Sequence, residues 1–192
     1  VVEYVIKPLG NNYTRLGDYD RALFIQEKGL SIALKQNNNS QAASFYSNLS
    51  ITAGEKGELQ KARNFCEQGL KIIKPDTSLY GLLLSQLADV QFQAKEFEPA
   101  EKNMQAAINI LKKFRRQGDN TDYWLYSTYY TQGELLKEQK KYASSLSSLT
   151  EAVKIIDRFF SGERRREKAK LLVAIGDVHF LLRNTANALT SY

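Results

Sequence analysis

One histidine, His179, and one cysteine, Cys66, are all that 192 residues offer toward nucleophilic or metal chemistry. A metal site needs several Cys or His ligands at short intervals, and a serine nucleophile needs a sharp strand-to-helix elbow. Neither pattern is present, and no glycine-rich loop follows a strand. Asp18 and Asp20 form a close carboxylate pair, but they flank a turn, where the first turn of a helix favours negative charge. Capping accounts for them. Cys66 stands three residues before Gly69 on a face expected to be buried, where a thiol behaves as a small hydrophobe. The reading is of a chain with no catalytic residue, no metal and no cofactor. Asn and Gln side chains give and accept hydrogen bonds at once, which suits binding to a peptide backbone.

The elements that must position those amides announce themselves by a repeated frame. A small residue is followed twelve positions later by another, in the pairs Gly10 and Ala22, Ser50 and Ala62, Ala88 and Ala100, Gly133 and Ser145, Gly176 and Ala188. Seven residues further on come Gly29, Gly69, Ala107 and Ala152, each followed by an apolar residue. Gly, Ala and Ser together fill only 42 of 192 positions, so fourteen small residues in fourteen slots is no accident of composition. Two antiparallel helices approach closely only where the side chains at their crossing are short. The spacing therefore predicts five helical hairpins, turning at Gly17-Asp18-Tyr19, Gly57-Glu58-Leu59, Lys95-Glu96-Phe97, Lys140-Lys141-Tyr142 and Arg183-Asn184-Thr185. The third turn residue is large and apolar in four copies, able to plug the gap between helices. Thr185 is the exception, which makes the fifth turn the least regular. His179 falls in the slot that Tyr13 holds in the first copy and reads as a packed interface residue.

These copies resemble tetratricopeptide repeats, whose pattern runs Leu-Gly, then Tyr, then a spaced Ala and aromatic. Leu9-Gly10 with Tyr13, Gly17, Tyr19 and Ala22 carry the likeness, as do Leu49, Gly57 and Ala62, and Ile175-Gly176 with Ala188. The departures are a missing tryptophan in every copy, Trp124 lying outside the slot, and Ser145 in place of alanine. Second-helix small residues recur at intervals of 40, 38, 45 and 43, longer than the usual 34. The resemblance implies an all-α, right-handed α-solenoid of about five repeats, the last incomplete, with first helices lining a groove that receives an extended peptide or helix. It places Lys7, Asn11 and Arg15 on the inner face of repeat one, Ser47, Asn48 and Ile51 in repeat two, and Leu82, Gln86 and Asp89 in repeat three. Tyr130, Thr131 and Glu134 follow in repeat four, and Lys170, Val173 and Asp177 in repeat five. Lys7, Asn11 and Asn48 also match half of the clamp by which some members hold a chaperone's C-terminal carboxylate. Leu82 and Gln86 stand where the basic half belongs, which argues against that ligand. An equal reading has Asn11 and Asn48 merely solvating the groove. The stretch from Lys7 to Tyr19 is also similar to tetratricopeptide regions preceding CHAT peptidase or bacterial signalling domains, which implies a regulatory segment of a larger protein.

The repeats are expected as one array over 1–192, at about 3–35, 41–74, 79–116, 122–160 and 163–192. Polar linkers at Gln36 to Ser40 and Gln117 to Thr121, Pro75 with Asp76, Thr77 or Ser78 as caps, and Ser161-Gly162 separate them. Hydrophobic content of 43% suffices for a stack in which each hairpin is buried only by its neighbours. No apolar run is long enough to span a membrane, and one cysteine fits a reducing, cytoplasmic setting. The net charge of +6 gathers in Lys112-Lys113-Phe114-Arg115-Arg116 and Arg164-Arg165-Arg166. Both read as solvated helix ends and not as a nucleic-acid site, because neither is interleaved with stacking aromatics on one surface. Opening on Val1 in what looks like mid-helix and closing on Tyr192 within a second helix, the chain is expected to be part of a longer protein whose exposed ends could stack on one another.

Overall fold

The computed structural model of the chain describes residues 2–115, 120–159 and 165–192, and these are α-helical with no strand among them. A π-helical segment, Val2–Ile6, runs into α1 (Lys7–Arg15), followed by α2 (Tyr19–Lys35), α3 (Asn39–Glu55), α4 (Leu59–Ile72) and α5 (Ser78–Gln93). Then come α6 (Phe97–Lys113), α7 (Asn120–Glu138), α8 (Tyr142–Phe159), α9 (Arg165–Leu181) and α10 (Thr185–Ser191). The chain divides into two compact units, Val1–Ile110 and Leu111–Tyr192.

All five hairpin turns use one device. The first turn residue takes a left-handed φ, at Gly17 (77°), Gly57 (85°), Lys95 (63°), Lys140 (60°) and Arg183 (58°), and the next residue leads into the second helix. A left-handed residue lets backbone amides of the turn bond back to the ending helix, as Asp18 N does to Tyr13 O at 3.0 Å and Asn184 N to His179 O at 2.9 Å. The fifth turn is as regular as the rest, since what shapes it is the backbone and not the plug. Tyr19, Leu59, Phe97 and Tyr142 are half-buried behind their turns, while Thr185 is exposed.

Every one of the fourteen small residues of the frame is buried. In four hairpins the residue sixteen positions after the first small one meets it across the crossing. A Cβ built on Gly10 would lie 2.7 Å from Gln26 Cγ, on Gly133 2.6 Å from Leu149, and on Gly176 2.7 Å from the Tyr192 ring. Ser50 instead meets Cys66, Oγ to Sγ at 2.9 Å, a small residue against a small partner. In repeat three, Ala88 and Met104 occupy the same two positions, and both are buried. Between hairpins, Gly29 of α2 faces the Phe45 ring of α3, and Gly69 of α4 faces Leu83 of α5. Ser145, where the frame more often has alanine, donates its hydroxyl to Gly133 O at 2.7 Å and so ties the two helices of its hairpin together.

Three sequence expectations need correction. The linker after α2 is shorter than Gln36 to Ser40: Asn37 takes a left-handed φ of 53°, Asn38 caps α3 by accepting from Gln41 N at 3.0 Å, and Asn39 and Ser40 are helical. Asparagine is at home both in left-handed turns and at N-caps, so the run reads as loop when it is a turn plus a cap. Asn120 and Thr121 likewise belong to α7, where Thr121 and Asp122 are buried, whereas residues 117–119 lie outside the described residues. Asp20 is no cap. Asp18 accepts from Arg21 N at 3.3 Å, but Asp20 pairs with Lys56, the C-cap of α3, at 2.9 Å, and that hydrogen bond pulls its carboxyl below the usual range. Of the three capping candidates before α5, Thr77 serves, accepting from Tyr80 N at 3.2 Å.

Candidate functional site

In the N-terminal unit the first helices of consecutive hairpins lie side by side, α3 touching α1 and α5. Their register is held by polar side chains as well as by packing. Thr14 of α1 and Thr52 of α3 share a hydroxyl hydrogen bond of 2.7 Å, and the fully buried Gln26 joins both, accepting from Thr52 at 3.0 Å and donating to Thr14 at 3.3 Å. A closed network of this kind satisfies groups whose burial alone would cost about 1–3 kcal/mol each. Gln86 of α5 donates to Ser47 of α3 at 2.9 Å, so Ser47, 2% exposed, is a strut between helices and not an open face residue.

The candidate residues of this unit then separate. Lys7 and Asn11 are half-buried on α1, and Arg15 is exposed at its end. Asn48 and Gln86 are half-buried on neighbouring helices, and each keeps one buried polar atom without a hydrogen-bond partner, Asn48 Nδ2 and Gln86 Oε1. One is a donor and the other an acceptor. One turn beyond Gln86, half-buried Asp89 accepts a hydrogen bond from Gln93 at 2.9 Å. Burial pushes the Asp89 carboxyl above its ordinary range, the Gln93 hydrogen bond opposes this, and the field of Glu55 adds to it. Ile51 is exposed and Leu82 half-buried on the same two helices.

In the C-terminal unit Tyr130, Thr131 and Glu134 are half-buried on α7. Here the charges are already matched: Lys137 Nζ lies 2.9 Å from Glu134 and 3.8 Å from Asp177 of α9, and Tyr192 donates to Asp177 at 2.9 Å. Burial, with Glu134 behind it, raises the Tyr130 phenol above its usual value. Lys170 and Val173 are exposed on α9.

The reactive residues are placed where chemistry is hard. Cys66 is fully buried against Ser50, and burial pushes its thiol up to about 12, the Ser50 hydrogen bond only partly offsetting it. No group of three or more His, Cys, Asp or Glu side chains able to hold a metal occurs among the described residues. The Lys112 to Arg115 side chains are engaged locally: Lys112 lies over the Tyr129 ring at 5.6 Å, Lys113 over Phe114 at 5.2 Å, and Arg115 pairs with the buried Asp122. Arg116, Arg164 and the Arg165 side chain lie outside the described residues, and Arg166 is exposed. No helix among the described residues is long and apolar enough to cross a membrane.

Sequence reasoning missed Glu55 and Gln93. Both stand seven residues after a candidate that it named, Asn48 and Gln86, and seven residues is two helical turns. Extending each stripe by that interval would have found them.

Residues 9–36 match the tetratricopeptide repeat model. No curated protein matches the sequence. Among solved structures, the chain is similar to BtubC (BKLC) from P. vanneervenii, with a TM-score of 0.80 at 18% identity over 97% of this chain and 75% of that one. It is also similar to a kinesin-light-chain-type protein of nearly identical TPR-like repeats from Podosopora anserina, at 0.71 and 13% over 97% and 89%. A third, Bacillus thuringiensis PlcR in complex with a peptide and DNA, gives 0.69 at 11% over 96% and 67%. Residues 9–36 thus carry a tetratricopeptide repeat, and the short residues buried at every hairpin crossing go with the α-solenoid fold that the chain shares with tetratricopeptide-repeat structures.

Proposed function

We propose that the chain is a non-catalytic interaction module, working as a single array, that holds an extended peptide or helix of a partner protein against its first helices. The observation that carries this reading is the pair of unpartnered amide atoms, Asn48 Nδ2 and Gln86 Oε1, on adjacent first helices of the N-terminal unit. A peptide bond offers one acceptor and one donor, and these two atoms offer the complement. Leaving a buried amide atom unpaired costs about 1–3 kcal/mol, and the terminal amide torsion is soft, so turning either group toward a ligand is favourable. Lys7, Asn11, Arg15 and Asp89 in the N-terminal unit, and Tyr130, Thr131 and Glu134 in the other, are the further contacts of this proposal. The buried, unreactive Cys66 is in keeping with a cytoplasmic role.

An array of immobilised peptides probed with the full chain tests this reading. Asn48→Ala is expected to lower binding without lowering the melting temperature, whereas Gln86→Ala, which also removes the hydrogen bond to Ser47, is expected to lower both. In Asn48→Ala, parallel loss of binding and of fold would count against the reading. A regulatory segment of a larger protein is the second reading, favoured by the fold likeness to a protein solved with a bound peptide and DNA. Coding sequence downstream of Tyr192 separates the two: an adjoining catalytic or signalling domain supports it, and a prompt stop codon removes it.

A further inference from the structure

Several half-buried acids among the described residues pair with cations. Glu58 is paired with Lys56, Glu96 with Arg63, Glu134 and Asp177 with Lys137, and the fully buried Asp122 with Arg115. Asp89 differs from these. Its carboxylate sits half-buried on α5, one turn from Gln86, with the neutral Gln93 amide as hydrogen-bond donor, and among the described residues no lysine, arginine or histidine pairs with it or with Glu55. Glu55 stands exposed at the end of α3, seven residues beyond Asn48, close enough for its charge to be felt at Asp89. Two like charges held near each other, one of them partly withdrawn from water, oppose folding and persist more readily when a cation satisfies them.

The neighbouring helices α3 and α5 thus carry an unpaired donor, an unpaired acceptor and a carboxylate with no cation among the described residues. We propose that the N-terminal unit recognises an extended peptide bearing a lysine or arginine, whose cation docks on Asp89 with Glu55 as the second anion while Asn48 and Gln86 hold the peptide's backbone amides. The proposal rests on the peptide-binding reading above and adds the chemistry of the ligand to it. An arginine fits best, because its planar fork can bond a carboxylate in two places and still reach a second acid. Acidic segments are turned away by the same pair.

The test uses the full 192-residue chain and immobilised degenerate nonapeptides, each set carrying one fixed central residue: Arg, Lys, Ala or Glu. Sets with fixed Arg or Lys are expected to bind roughly tenfold tighter than the Ala set, and the Glu set weakest, a half-buried pair lying between the small worth of exposed pairs and the large worth of buried ones. Asp89→Asn keeps the shape of the side chain and should erase that preference, so that the Arg and Lys sets bind no tighter than the Ala set. Glu55→Gln, at an exposed position that carries no part of the fold, should reduce the preference several-fold and decides the matter if Asp89→Asn does not fold. A preference for basic residues that survives both substitutions overturns the proposal. Binding with no basic preference also overturns it and leaves the peptide-binding function standing, whereas no binding by any set brings down both. Spermidine competing as well as an arginine peptide, with no contribution from Asn48 or Gln86, would show a bare cation site and overturn it as well.

Discussion

Replacing Gly29 by alanine puts a methyl group on α2, and the structure says where it goes. The new Cβ would lie 2.2 Å from Phe45 Cζ, with two more ring carbons at 2.4 and 2.9 Å, where ordinary contact begins at 3.4 Å. The ring must therefore retreat by about 1.2 Å, and it has nowhere to go: Phe45 is fully buried among Ala33, Ala42, Ile6, Leu30 and Ile72. Overpacking of this kind costs about 1–3 kcal/mol, and a near-complete overlap with a rigid ring belongs at the upper end. Alanine gains back about 1 kcal/mol of helix propensity over glycine, leaving a net loss of about 2 kcal/mol. For a chain of this length that lowers the melting temperature by about 4–8 °C. Gly54→Ala is the control, a glycine in the last turn of α3 with nothing within 4 Å of its Cβ, expected to gain less than about 1 kcal/mol and to melt no lower. Thermal unfolding followed by far-ultraviolet circular dichroism reads both, with the first transition scored because repeat arrays can unfold in stages. In the Gly29→Ala background, Phe45→Leu should cost less than it does alone, since the two sites are in contact. If Gly29→Ala proves as stable as Gly54→Ala, the claim that these crossings are closed by steric fit is wrong.

Asp89→Asn should stabilise the protein at neutral pH, whatever it does to binding. The folded-state pKa of Asp89 is raised, by burial first and by Glu55, against the Gln93 hydrogen bond, so its ionised form weakens the fold at every pH above that raised value. The gain from the neutral amide put in its place should shrink as pH falls through it and vanish below about 3.8, the unfolded value, where Asp89 is protonated in both states; a gain independent of pH would refute the assignment. Cys66, with a thiol pushed up to about 12, carries roughly one thiolate in 10,000 at pH 8, so aromatic disulfide reagents should label the native chain orders of magnitude more slowly than the urea-unfolded one. Rapid native labelling would mean that the Ser50 crossing opens. Lys140→Gly should raise stability by up to about 1 kcal/mol, because a lysine at φ 60° bears a strain that glycine does not; differential scanning calorimetry showing a lower melting temperature would count against the turn geometry.

The small-residue frame was legible in the sequence because a helix crossing has a hard steric limit, and that limit leaves the same mark at the same spacing in every repeat. It fixed five hairpins, their turns and the faces to be buried, and even the irregular plug at Thr185 left its turn intact, because a left-handed residue and a cap are sufficient. The sequence could not say what each small residue is small for. Gly10 yields to Gln26, Gly29 to Phe45 and Gly133 to Leu149, and those partners lie on other helices, chosen by three-dimensional register. Ser47 and Gln86 show the same limit at the candidate site: both read as groove residues, and only the approach of α5 to α3 made one a strut and left the other's carbonyl unmatched. Periodicity along one helix reports which way a side chain faces. Whether its hydrogen bonds are already taken depends on groups some forty residues away, and that was decided by the tertiary structure alone.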